Sequence, residues 1–127
     1  KADVVYGSRF LTKRKWGKKM LMWRFANYLL TAFSNIFTGL RLTDMETCYK
    51  VFNRRTVDLF KGKLKSNRFE IEPELTAWIG HKRVCVCEVP ISYIGRTREH
   101  GKKIGWKDGF HGIWAIIRYN FNLIKKP

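Results

Sequence analysis

The chain has 127 residues (15.1 kDa), is 45% hydrophobic, and carries 26 Lys and Arg against 10 Asp and Glu. That length suits one domain, the apolar and aromatic content excludes disorder, and the formal charge of +16 points to an anionic partner: a polyanion, a phosphate-bearing ligand or an anionic membrane. Three cysteines, Cys48, Cys85 and Cys87, exclude a disulfide scaffold and do not complete a zinc site.

In chain order, Val4-Val5-Tyr6 followed by Gly7-Ser8-Arg9 predicts a short buried strand running into a turn. Arg9, Lys13, Arg14, Lys15, Lys18, Lys19 and Arg24 then follow with no acid among them. The next segment, residues 20–39, reads as an amphipathic helix. Met22, Phe25, Ala26, Leu29, Phe33, Ile36 and Phe37 recur at three and four residues, and Arg24, Asn27, Thr31, Ser34 and Thr38 form the opposite stripe. The apolar stripe either covers a core or dips into a lipid headgroup region while Lys18, Lys19 and Arg24 meet phosphates. Gly39 is the expected stop.

Thr43 with Glu46 three residues later has the form of a capping box, which predicts a helix start there. Tyr49 to Phe52 reads as a short strand, Arg54 to Phe60 as one or two helical turns, and Leu75 to Ile79 as a helix opened by Glu72-Pro73-Glu74 and closed at Gly80. The strand Val84 to Val89 follows, ending at Pro90; Cys85 and Cys87 fall on one of its faces, which predicts reduced, structural cysteines packed as small apolar residues in a cytosolic setting. The stretch from Gly95 to Gly105 mixes glycines with Arg96, Arg98, Lys102 and Lys103, a composition suited to wrapping phosphates, without the spacing of a P-loop or a dinucleotide fingerprint. Residues 106–124 form a second amphipathic helix, with Phe110, Ile113, Trp114, Ile117, Phe121 and Ile124 on its apolar side. No apolar run is long enough to mark a spanning helix.

Five separated blocks, taken together, resemble one family: Val4 to Arg9, Leu42 to Phe52, Arg68 to Glu74, Glu88 to Tyr93, and the run from Gly95 to Gly109. In this order they are similar to the C-terminal half of family 2 inverting glycosyltransferases, in the subgroup of dolichyl- or polyprenyl-phosphate sugar transferases (dolichol-phosphate mannosyltransferase-like). The resemblance implies an α/β fold: the C-terminal portion of a GT-A nucleotide-diphospho-sugar transferase, an incomplete Rossmann-like mixed sheet with amphipathic helices. Residues 1–127 would be a single partial catalytic domain whose nucleotide-binding N-terminal half, with its Asp-x-Asp pair for a divalent Mg or Mn ion, is missing. The chain itself has no Asp-x-Asp and no metal ligands, so it is expected to be inactive alone.

Carried over residue by residue, the resemblance assigns the acceptor phosphate to Arg9 and Arg24. It puts Asp44, with Glu46 nearby, at the sugar and acceptor, and the donor diphosphate at Arg96, Lys102 and Lys103. Asp44 would serve as a general base, as an acceptor for sugar hydroxyls, or as the partner that holds Arg9. Glu70, Glu72 and Glu74 either hold the basic loop open or form a solvated edge. The implied partners are a nucleoside-diphosphate sugar, a polyprenyl phosphate, an anionic membrane surface at its cytoplasmic face, and the missing half of the enzyme. The competing reading is a basic nucleic-acid-binding or membrane-surface module without catalysis. Nucleic acid is the weaker choice, since the aromatics fall mainly on helical apolar stripes and no known reader motif occurs.

Overall fold

The computed structural model describes residues 1–13, 15–94 and 105–124, with the backbone alone at Ile124. Among them lie a three-stranded sheet and four helices, in the order β1 (Val4–Ser8), α1 (Lys18–Thr38), β2 (Lys50–Phe52), α2 (Arg54–Phe60), α3 (Ile71–His81), β3 (Val86–Pro90) and α4 (Trp106–Ile124). β1 is central, antiparallel to β2 and parallel to β3, so the sheet is mixed and the fold is α/β.

Alternation along β1 sends Val4, Tyr6 and Ser8 to one face, where all three are fully buried. On that face Val4 sits between Phe52 and Val86, and Tyr6 between Lys50 and Glu88. Helices α1, α3 and α4 cover it, and the core gathers Val4, Tyr6, Leu42, Met45, Ile79 and Ile116. The Tyr6 hydroxyl meets Thr76 Oγ1 of α3 at 2.9 Å, and burial holds the phenol well above its ordinary pKa.

Gly39 stops α1 as expected: it adopts φ +70°, which only glycine takes without strain, and its N–H returns to the Asn35 carbonyl. Gly80 does not close α3, which runs on to His81. Its place is set by contact instead, since a Cβ there would stand 2.5 Å from Thr38 Cβ and 2.9 Å from the Thr38 carbonyl, where α3 crosses the end of α1. No helix starts at Thr43. The Thr43 N–H that a helix would leave free is taken by Glu88 of β3, so the capping-box pattern is unused. The expected strand from Val84 begins only at Val86.

The facing of α1 differs most from the sequence reading. Its buried residues are Asn27, Thr31 and Ser34, while Met22 is 78% and Ile36 77% exposed, with Phe25, Leu29 and Tyr28 also outside. The physical reason lies in residues 39–47, a segment without regular structure whose inward backbone groups have no ladder partners. Thr31 Oγ1 accepts from Met45 N at 3.1 Å, and Asn35 brackets Leu42 by donating to its carbonyl and accepting from its N–H. Thr31, Asn35 and Thr38 face inward because they hydrogen-bond this segment, while Leu30, Phe33 and Phe37 of the same helix pack against the core, so only part of the apolar stripe is left outside. α4 differs from α1 in what it buries: Ala115, Ile116 and Tyr119 with Asn120 face inward, while Trp106, Phe110, Ile113, Trp114 and Phe121 lie outside.

The cysteines also depart from expectation. Cys48, Cys85 and Cys87 are free thiols, but all three are exposed rather than core residues. Cys85 and Cys87 do share a side, and it is the side away from the helices.

Candidate functional site: an arginine pair among aromatic rings

The segment 43–47 is held from several directions. The Glu88 carboxylate accepts from Thr43 N, Thr43 Oγ1 and Asp44 N within 3.1 Å, and Ser8 Oγ meets Thr43 Oγ1 at 2.6 Å. Lys50, whose side chain is 3% exposed, donates to the Met45 and Thr47 carbonyls and pairs with Glu72 of α3. Such over-determined anchoring fixes the position of the Asp44 carboxylate.

Asp44 is fully buried and accepts three hydrogen bonds from one residue: Arg9 N at 3.0 Å, Arg9 Nε at 2.7 Å and Arg9 Nη2 at 2.7 Å. A two-pronged carboxylate leaves a guanidinium three further N–H donors, so Arg9 is oriented by Asp44 without being exhausted by it. Burial works against the Arg9 charge, but the Asp44 hydrogen bonds and charge outweigh it and hold its pKa above the ordinary value. The same guanidinium lies over three rings, 4.7 Å from the Trp23 centroid, 5.2 Å from Tyr93 and 5.6 Å from Phe10.

Arg24, from the first turns of α1, approaches the Phe10 ring to 5.5 Å and Trp16 to 6.0 Å. Among the described residues it has no acidic partner. Trp16 Nε1 is likewise shut off from solvent with no acceptor among them. Two guanidinium groups near the Phe10 ring, one paired with Asp44 and one without an acidic partner among the described residues, together with a spare indole donor, form a setting for an anion with fixed geometry. Met22 and Phe25, the chain neighbours of Trp23 and Arg24, are exposed on α1.

The structure thus brings Arg9, Arg24 and Asp44 together. Of the three roles open to Asp44, its contacts are those of the partner that holds Arg9: both oxygens face the guanidinium. Arg96, Lys102 and Lys103 lie outside the described residues. Glu46 does not cap a helix; it is half-buried and makes no hydrogen bond among the described residues, and burial, reinforced by the Glu72 charge, pushes its pKa up to about 7. Glu72 and Glu74 are not an acidic edge. Glu72 pairs with Lys50, and buried Glu74 accepts from Lys65 N and Ser66 N.

Sequence reasoning missed Glu88, Lys50 and the rings of Phe10, Trp16, Trp23 and Tyr93. One signal for Glu88 was available: a lone carboxylate in an otherwise apolar strand. Trp16 and Trp23, seven residues apart around the basic run, were another.

Among the described residues no three His, Cys, Asp or Glu side chains gather as metal ligands, and Asp44, Glu72, Glu74 and Glu88 are already engaged. The described residues thus offer no ligand set for the divalent metal, whose ligands the resemblance places in the missing half. No helix among them is long and apolar enough to cross a membrane.

The chain is similar to an uncharacterized protein, MJ1222 of Methanocaldococcus jannaschii, at 24% identity over 115 residues, covering 91% of this chain and 47% of that protein. The chain therefore spans about half the length of the curated relative it matches. No family model matches it, and no solved structure does.

Proposed function

We propose that this chain is the acceptor-side portion of an inverting glycosyltransferase of GT-A type, which moves a sugar from a nucleoside-diphosphate sugar to a polyprenyl phosphate. The observation that carries the reading is the Arg9–Arg24 pair, set among aromatic rings at the foot of an exposed apolar helix face. A phosphate monoester with an apolar tail matches both halves of that arrangement. Its oxygens meet Arg24 and the spare donors of Arg9, and the tail runs along Met22, Phe25 and Leu29. α1 and α4 would rest on an anionic membrane at its cytoplasmic face, their outward aromatic and aliphatic side chains in the headgroup layer.

In the reaction, an acceptor phosphate oxygen attacks the anomeric carbon from the face opposite the leaving group, and the bond to the nucleoside diphosphate breaks with inversion. The nucleophile is already anionic, so the chain's task is orientation, and Asp44 keeps Arg9 fixed for it. Arg96, Lys102 and Lys103 would meet the charge on the departing diphosphate. The nucleotide-binding half, and any Mg or Mn ion with its ligands, would come from polypeptide beyond these 127 residues.

The test is sugar transfer by the product of the complete reading frame, with polyprenyl phosphate and a panel of UDP- and GDP-sugars. Transfer is expected, and the 127-residue chain alone should give none. Arg9→Ala should lower acceptor-dependent turnover by about ten- to a hundredfold, the worth of a charge-assisted hydrogen bond, while leaving product-nucleotide affinity within about twofold. Absence of transfer to every lipid phosphate, or equal loss of nucleotide binding on Arg9→Ala, overturns the proposal.

A further inference from the structure

The sheet has two faces, and the helices cover only one; on the other, the Ile91 side chain lies over Gly7 and the flanking residues are left open. On the helix-free side the strand register sets Val51, Val5 and Cys87 in one row across β2, β1 and β3, and Tyr49, Gly7 and Val89 in the next. Val51 is 69%, Tyr49 71% and Val89 44% exposed, and Cys87 is exposed as well. A sheet face meant for water alternates to polar residues, whereas strands covered on both sides stay apolar, above all where pairing is parallel, as between β1 and β3. The face is therefore built for burial.

The helix layer lies across the sheet from it, so a membrane received by α1 and α4 cannot also cover this side. A second copy is a poor occupant, because it would bring two chains of formal charge +16 face to face. The relative in which this chain matches 47% of the length carries about as much polypeptide again outside the match.

We infer that the face formed by Val5, Val51, Cys87, Val89 and Tyr49 is the docking surface for a further layer of the same polypeptide, a stretch comparable in length to this chain and less basic, packed on the sheet opposite α1, α3 and α4. This shares with the proposed function the premise of additional polypeptide but none of its chemistry. It assigns the two exposed apolar surfaces to different occupants: the helix face to lipid, the sheet face to protein.

The experiment compares the 127-residue chain with the product of its complete reading frame, reading thiol labelling at each cysteine by mass spectrometry and thermal unfolding of Val51→Asp. In the isolated chain Cys87 should label fast, and Val51→Asp should shift the midpoint by less than about 2 °C, as at an exposed site. In the complete product Cys87 labelling should slow at least tenfold, and the same substitution should lower the midpoint by more than about 5 °C or prevent folding. Labelling at equal rates, or equal midpoint shifts, overturns the inference, as does a reading frame that adds no further polypeptide. Cys87 protection in the isolated chain together with a dimer in sedimentation gives the face to a second copy and also overturns it. Neither readout involves sugar or nucleotide, so failure here and failure of the proposed reaction are separable.

Discussion

Asp44→Asn tests whether Asp44 exists to hold Arg9. In the native chain Asp44 is fully buried and the Arg9 side chain is 11% exposed, so the substitution leaves a guanidinium largely out of water without its counter-charge. Removing one member of a buried pair costs about 3–5 kcal/mol. Arg9 keeps its contacts with Trp23, Tyr93 and Phe10 and is close enough to solvent to relax, so a loss of about 2–4 kcal/mol in unfolding free energy is expected. Arg9→Gln removes the charge that needs compensating, so the double variant should lose less than the two single variants together, with a coupling of about 1.5–3 kcal/mol. Urea unfolding of the wild type, both single variants and the double variant supplies the cycle. A coupling below about 0.5 kcal/mol, or an Asp44→Asn cost below about 1 kcal/mol, refutes the reasoning, because a carboxylate kept for proton transfer has no need to stabilise the fold.

The outward face of α1 predicts binding to vesicles of anionic lipid over neutral lipid. With about 1 kcal/mol from each of Lys18, Lys19 and Arg24 near such a surface, the preference at low salt should reach about a hundredfold and fall as salt rises. Phe25→Ser with Leu29→Ser should weaken binding without changing unfolding, since both side chains are exposed; equal binding to both vesicle types assigns the face elsewhere. Glu46, raised from about 4.5 to about 7, keeps its proton longer folded than unfolded, so its contribution to stability is present below about pH 4.5 and is lost as pH rises through 7. Glu46→Gln should remove that slope and, after discounting for partial exposure, stabilise the chain by about 1–2 kcal/mol at pH 8 relative to pH 5, measured as the difference from wild type so that the histidines cancel; parallel pH profiles contradict it.

Elements set by nearest neighbours were legible in the sequence. The start of β1, α2 over Arg54–Phe60 and the Gly39 stop follow from local propensity and backbone freedom and stand where the residues place them, whereas the turn expected at Gly7-Ser8-Arg9 does not: Gly7 and Ser8 continue β1, paired with Val89 and Pro90 of β3. The Arg9–Arg24–Asp44 grouping came from motif resemblance, since nothing in spacing alone joins residues 35 positions apart. Unseen were the features decided by distant partners. Thr43 and Glu46 have the form of a cap, but Glu88, 45 residues away from Thr43, offers that backbone a charged acceptor, and the segment stays irregular.

The reversal of α1 has the same origin and the larger consequence. A hydrophobic stripe says that a helix has two unlike faces; it does not say which face the rest of the chain needs. Residues 39–47 bring buried N–H and C=O groups with no strand or helix to satisfy them, and leaving even one unpaired costs about 1–3 kcal/mol, comparable to the burial of a large aliphatic side chain. Asn35 satisfies two such groups at Leu42 and Thr31 a third at Met45. Rotating the helix to bring Met22, Phe25 and Leu29 inward as well would forfeit those bonds and loosen the segment that carries Asp44, and with it the hold on Arg9. The helix therefore gives Thr31 and Asn35 to this segment and Phe33 and Phe37 to the core, and the part of its apolar stripe left outside, Met22, Phe25, Leu29 and Ile36, is the surface that the proposed function gives to an amphiphilic anion.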